Sequence, residues 1–250
     1  MKGSAALRDR SVTEADVIAW LQADYRLRAG VDPEVDPGAS LTAATTIADW
    51  RMTCDLIGTR RLAKGMNGWL GVRRPVDEWC AVLEPEETRT LGDLAHYVAP
   101  HLRMATFSPM VIAGHPDGPT GAFFALRRLM AEDASQIPGM RPSTTVASLE
   151  EYQVVALGEA IAKLAPDLTP QPTIVPSKRQ RTGGALAAIA FLVSLIGFAA
   201  SHSGLGWGAA GLCIVGLLLT RGRPARIEFG GFETVGDIAR AVAAHGQAAA

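Results

Sequence analysis

The chain has 250 residues, with 24 basic against 25 acidic side chains and a formal net charge of −1. Six of the cations flank two apolar runs near the C-terminus; without them the remaining arms carry about −7, which argues against nucleic acid or another polyanion as a partner. Three cysteines, Cys54, Cys80 and Cys213, form no C-x-x-C pair, so neither a zinc knuckle nor a disulfide framework is expected.

Residues 1–10 are polar and charged, which predicts no cleavable signal segment. Ser11-x-x-Glu14 then opens a predicted helix with Val17, Ile18, Leu21 and Tyr25 on one face. A loop over Val31–Ser40 follows. Its Asp32, Glu34 and Asp36 alternate as in a calcium loop, but Pro33 and Pro37 interrupt them and the glycine and closing glutamate are missing. A second helix is predicted with Ile47, Trp50, Cys54, Ile57 and Arg61 on one side. Trp50, Trp69 and Trp79 are expected to fill the core, with one left to line an apolar groove for an acyl chain or a partner helix. Arg60, Arg61, Lys64, Arg73 and Arg74 surround Trp69 and are expected to be solvated surface charges; a basic-aromatic face formed with Trp79 toward lipid headgroups is the other reading. Glu84-Pro-Glu-Glu87 reads as a solvated acidic turn.

Thr90-Leu-Gly-Asp-Leu-Ala-His-Tyr-Val-Ala99 reappears as Thr234-Val-Gly-Asp-Ile-Ala-Arg-Ala-Val-Ala243, with six of ten positions identical. Each segment carries a capping box, Thr90 with Asp93 and Thr234 with Asp237, so the aspartates are expected to cap helices. Leu91, Leu94 and Val98, and likewise Val235, Ile238 and Val242, then share one helical face. The likeness extends upstream. Gly121–Asp133 reads as the first helix of a second copy, Ile137–Thr145 as its loop and Ser148–Ala165 as its second helix. Pro37–Ala43 is placed opposite Pro142–Ser148. The domain plan is a first helical unit over 1–104, a Pro/Gly-rich linker over 105–120, and a second unit over 121–176 that resumes at 227–250.

Between those parts lie residues 177–226. Gly183–Ala200 and Gly204–Thr220 are free of charge, with Lys178, Arg179 and Arg181 before them and Arg221, Arg223 and Arg226 after. That pattern predicts a transmembrane α-hairpin with spans at 183–200 and 204–220, both termini cytoplasmic, in a bacterial inner membrane. The bilayer is then one partner. The small residues on the hairpin leave a homodimer open through the same segment. Gly206-Trp-Gly-Ala-Ala-Gly211 matches G-x-G-x-x-G, but no strand precedes it and an Arg-rich stretch follows, so it is read as a chance match. The histidines have no i, i+4 pair, and no metal or catalytic residues are assigned.

The unit plan of helix, long loop, helix and short capped helix resembles an acyl-carrier-protein domain. Ala48–Ile57 is similar to the segment around that family's modified serine, and Thr-x-Gly-Asp-Leu is similar to the motif that opens its last helix. The resemblance implies two small helical bundles in a mainly α chain, the second interrupted by the hairpin. It also implies that unit one holds no prosthetic group, because Trp50 stands where the serine would be. In the second unit Ser148 is the implied phosphopantetheine position, although Ala147 replaces the family's aspartate; a plain helix N-cap completed by Glu151 is the other reading of Ser148. The expected role is a non-catalytic interaction or scaffolding protein, anchored in the membrane, that docks a cytoplasmic protein. The alternative is an acyl-carrier or acyl-handling protein.

Overall fold

The computed structural model describes residues 7–32, 35–36, 38–132, 137, 139–175, 178–199, 212–215 and 226–248. It is mainly helical, as expected. In chain order β1 is Leu7–Ser11, α1 Glu14–Ala29, α2 Ile47–Thr53, α3 Thr59–Leu70, α4 Val76–Leu83, α5 Leu91–Val98 and β2 Arg103–Phe107. Then come β3 Met110–Ile112, β4 His115–Asp117, α6 Gly118–Glu132, α7 Glu151–Leu164, β5 Pro172–Val175, α8 Lys178–Ala199, β6 Arg226–Phe229 and α9 Val235–Ala248. One compact unit comprises Met1–Thr173 and Phe229–Ala250, and a second comprises Ile174–Glu228.

Both copies of the Thr-x-Gly-Asp motif do what their chemistry predicts. Thr90 accepts a hydrogen bond from the Asp93 amide at 3.2 Å and Thr234 accepts one from the Asp237 amide at 3.2 Å. The threonine amides in turn donate to the Asp93 and Asp237 carboxylates at 3.0 and 2.8 Å. Leu91, Leu94 and Val98 are buried, as are Val235, Ile238 and Val242.

Each of these caps is also stitched to the loop after the first helix of its half. Thr46 bridges Thr90, and Thr145 bridges Thr234. Ile47 N donates to Arg89 O at 2.8 Å, Leu91 N to Thr45 O at 2.9 Å and Gly92 N to Ala43 O at 2.8 Å. In the second half Val146 N donates to Glu233 O at 2.9 Å, Val235 N to Thr144 O at 3.0 Å and Gly236 N to Pro142 O at 2.7 Å. The glycines are there for clearance. A Cβ on Gly92 would lie 3.0 Å from Ala43 O, and one on Gly236 would lie 2.9 Å from Pro142 O. These bonds set Ala43 against Pro142, so the expected register of Pro37 opposite Pro142 is corrected.

Several boundaries move for local reasons. Thr13, not Ser11, caps α1: its capping box is with Asp16, while Ser11 is used by β1 opposite Arg103. The expected second helix is two helices, broken at Cys54–Gly58, where Asp55 takes a left-handed φ of 46°. The expected linker at 105–120 contains the end of β2, the β3–β4 hairpin and the start of α6. β1 and β2 form an antiparallel ribbon with Leu7 opposite Phe107 and Ser11 opposite Arg103.

α1 is buried on two sides. Val17, Leu21 and Tyr25 belong to the core of the first half, and α5 packs there. Ala23 and Leu27 are also buried, and α7 and the short turn Pro166–Leu168 pack against α1 as well. Leu27 seats on Gly158 of α7, where a Cβ would lie 2.2 Å from Leu27 Cδ2. Arg26 reaches the same region, donating to Thr169 O at 3.1 Å. In the second half α9 packs on α6 as α5 packs on α1.

In the second unit, among the described residues, no helix is long and apolar enough to cross a membrane. That finding overturns the expected multi-pass inner-membrane placement with its transmembrane hairpin. The physical reason lies in α8. Its 22 residues begin Lys178-Arg-Gln-Arg-Thr182, and Gly and Ala crowd the next turns. The uncharged remainder rises roughly 25 Å, short of a hydrocarbon core of ~30 Å. Of Gly204–Thr220, only Leu212–Val215 are described, as helix; the turn at 201–203 and the G-x-G-x-x-G match lie outside the described residues. β5 and β6, through which the chain enters and leaves this segment, form a two-stranded sheet.

Gly158→Ala places a methyl 2.2 Å from Leu27 Cδ2 and 3.1 Å from Cδ1, so the buried Leu27 must shift. A loss of about 1–3 kcal/mol in urea unfolding is expected, with far-UV circular dichroism of the folded protein unchanged.

Candidate functional site

A cavity of about 430 Å³ opens where the two halves of the first unit meet. The β1–β2 ribbon supplies one wall, with Leu7, Asp9, Arg103 and Ala105 on the same face. α1 and α3 bring Trp20 and Trp69, and α6 and α7 bring Leu129, Arg128 and Lys163. The other face of the ribbon, with Arg10 and Thr106, looks toward a second cavity of about 610 Å³ that Leu164 and His245 also line. Asp16 borders both. The ribbon is thus a partition between two recesses.

The aromatic side of the first cavity is a graded stack. Trp20 and Trp69 are half-buried, with ring centroids 4.9 Å apart and planes tilted by 39°. Trp50, 2% exposed, lies behind Trp69 at 6.0 Å with an interplanar angle of 19°. Trp50 and Trp69 were expected to contribute; Trp20 was not, because its neighbours in sequence gave it no special pattern. Trp79 is elsewhere. It is buried in the first-half core and donates through Nε1 to Asn67 Oδ1 at 2.9 Å, so it takes no part in the alternative basic-aromatic face. Arg74 is drawn into the same network, donating to Tyr97 Oη at 3.0 Å and pairing with Glu78. Arg60, Arg61, Lys64 and Arg73 are exposed.

The charges around the cavity are mostly satisfied. Arg10 grips both oxygens of Asp16, at 2.8 and 2.7 Å, and holds that carboxyl well below the usual carboxylate range. Arg128 donates to Glu132 at 3.3 Å. Arg103 donates to the carbonyls of Pro100 and Leu102, at 3.5 and 2.8 Å. Arg103 is exposed, and among the described residues these neutral carbonyls are its hydrogen-bond partners.

Ser148 sits in a short 3-10 turn, Val146–Ser148, two residues ahead of the α7 cap at Glu150. It is exposed, and its hydroxyl donates back to Thr145 O at 2.6 Å. The capping box belongs to Glu150 and Gln153, which corrects the reading of Ser148 as a helix cap completed by Glu151. Through the bridge register, Ser148 occupies the place that Asp49 holds in the first half. The features a prosthetic-group site needs are present only in part: an accessible hydroxyl, without an acidic neighbour at Ala147.

The remaining candidates have structural roles. Asp36 accepts from Gly38 N at 2.9 Å, and Glu86 pairs with Arg51 at 2.6 Å. His96 contacts Glu14 at 2.7 Å and ties α5 to α1. Cys54 is buried; that burial and the negative charge of Asp24 push its thiol up to about 12, which makes it unreactive. Among the described residues no cluster of three or more His, Cys, Asp or Glu could hold a metal ion.

Asp16 also gives a pH test. Its pKa is lowered by folding, so its contribution is present above the unfolded carboxylate value near ~4 and fades as pH falls through the folded one. The Asp16→Asn variant is therefore expected to lose stability at pH 7 and to show a shallower acid limb below about pH 4 than the parent, read by thermal unfolding across pH.

No family model, no curated protein and no solved structure matches this chain.

Proposed function

We propose that the chain is a non-catalytic interaction protein whose two carrier-like helical halves dock a protein partner. The observation that carries this reading is one exposed large apolar side chain on a helix beyond the bridged loop of each half, Met52 on α2 and, one place further on in the register, Tyr152 on α7. Met52, 78% exposed, lies in the helix that follows the Thr46–Thr90 bridge. Tyr152, 57% exposed, lies in α7, which begins after the 3-10 turn that follows the Thr145–Thr234 bridge. Ile57, also exposed, extends the first patch beyond the end of α2. The bridge at Thr46 holds the start of α2, and the Glu150–Gln153 capping box holds the start of α7, so both apolar side chains stand on ordered helix. Rigid apolar anchors lose little conformational entropy on association.

Quantitative co-purification from the native source tests the reading. A partner is expected at fixed stoichiometry, and Met52→Glu with Tyr152→Glu is expected to weaken its binding by at least about tenfold while circular dichroism stays unchanged. Unaltered binding by the double variant, or no stoichiometric partner, removes the proposal.

The exposure of Ser148 favours a second reading, a carrier with phosphopantetheine on that hydroxyl. The missing acidic neighbour and the bond to Thr145 O weigh against it. Intact-mass measurement of the native protein, with Ser148→Ala as control, separates the two.

A further inference from the structure

Two tryptophans at the edge of the first-half core stand on the wall of the cavity at the ribbon. Trp20 and Trp69 are half-buried and tilted against each other, so their rings form an open wedge on its wall. Trp50, fully in the core, backs Trp69 and fixes its plane. A wedge of rigid rings offers offset stacking and edge contacts to another flat ring system. The volume, about 430 Å³, is in the range of small-molecule sites and holds a fused two-ring body more readily than a helix.

The electrostatics of the wall give the sign of the ligand. Of the three acids lining it, Asp16 has both oxygens engaged by Arg10 and Glu132 is paired with Arg128. Among the described residues Arg103 gives its hydrogen bonds to backbone carbonyls, through one nitrogen, which leaves its other donors toward the recess. Asp9 lies on the same ribbon face, opposite Ala105 while Arg103 is opposite Ser11, and is the acid that most directly opposes an anion. A guanidinium with donors to spare beside an aromatic wedge is matched to a planar carboxylate.

We propose that this cavity binds a flat aromatic anion, with its rings against Trp20 and Trp69 and its carboxylate on Arg103. The idea shares with the docking reading only the premise of a binding protein, and its test uses the purified full chain alone, so the two can fail separately.

The probe is 2-naphthoate, titrated by tryptophan fluorescence and by calorimetry. Saturable one-to-one binding with quenching is expected. The neutral 2-naphthalenemethanol and the Arg103→Gln variant are each expected to bind about tenfold more weakly, and Trp20→Leu about fivefold. Asp9→Asn is expected to tighten binding about twofold, an effect that a damaged fold cannot produce. Arg240→Gln, which removes a cation outside the cavity lining, leaves affinity unchanged. Absence of saturable binding, equal affinity for the alcohol, or wild-type affinity in Arg103→Gln overturns the proposal. Should Arg103→Gln fail to fold, the alcohol and Asp9→Asn decide it.

Discussion

Everything in the first unit depends on α1 being buried from two directions. Val17, Leu21 and Tyr25 complete the first-half core, while Leu27 docks into the notch at Gly158 of α7. One helix therefore serves as a wall of both halves. Separate bundles would each need their own helix with one apolar stripe and one wet face. Sharing removes the wet face, and with it the freedom of the halves to move as independent domains. The polar ties follow the same geometry: Tyr25 Oη donates to Asp36 O and accepts from Ala39 N at 2.9 Å on one side, and Arg26 reaches Thr169 O on the other.

The recesses beside the ribbon are a by-product of that sharing. Two curved bundles meeting along one helix cannot close against each other along their whole length. The β1–β2 ribbon fills the gap without sealing it, because alternate residues point to opposite sides. Leu7 and Asp9 reach the sequence from one strand, Arg103 and Ala105 from another nearly a hundred residues away, and Trp20 and Trp69 from two helices. Such a site is assembled by topology rather than by any contiguous motif.

That difference explains what could be read in advance. The caps at Thr90 and Thr234 were legible because their hydrogen bonds run to residues three positions on. Their buried faces were legible from helical spacing. Thr13 was missed because the pairing of Ser11 with Arg103 is a long-range fact, and it moves the helix start. The break at Asp55 was missed because the apolar spacing from Ile47 to Ile57 continues through it, although Ile57 is 54% exposed. The apolar run of α8 suggested a span by its lack of charge, yet lack of charge does not supply length. The motif Thr-x-Gly-Asp revealed the duplication, while its partner segment in each half, Ala43–Ile47 and Pro142–Val146, shares Thr-Thr followed by Ile or Val, a match short enough that the register was fixed only by the backbone bonds.

The two bridges also differ in what the chain must do to reach them during synthesis. Thr46 and Thr90 are close enough that the first half can zip shut soon after α5 leaves the ribosome. Thr145 waits for Thr234, across a segment roughly twice as long, which for a free chain adds ~0.6 kcal/mol of closure entropy. The pairing of β5 with β6 shortens that search, since a locally closed insertion counts as a short loop. The first half is thus able to act as the template on which the second condenses, with α1 offering its unused side until α7 arrives and α9 entering last. An inserted segment of almost any length can be carried on that schedule, provided its two ends meet.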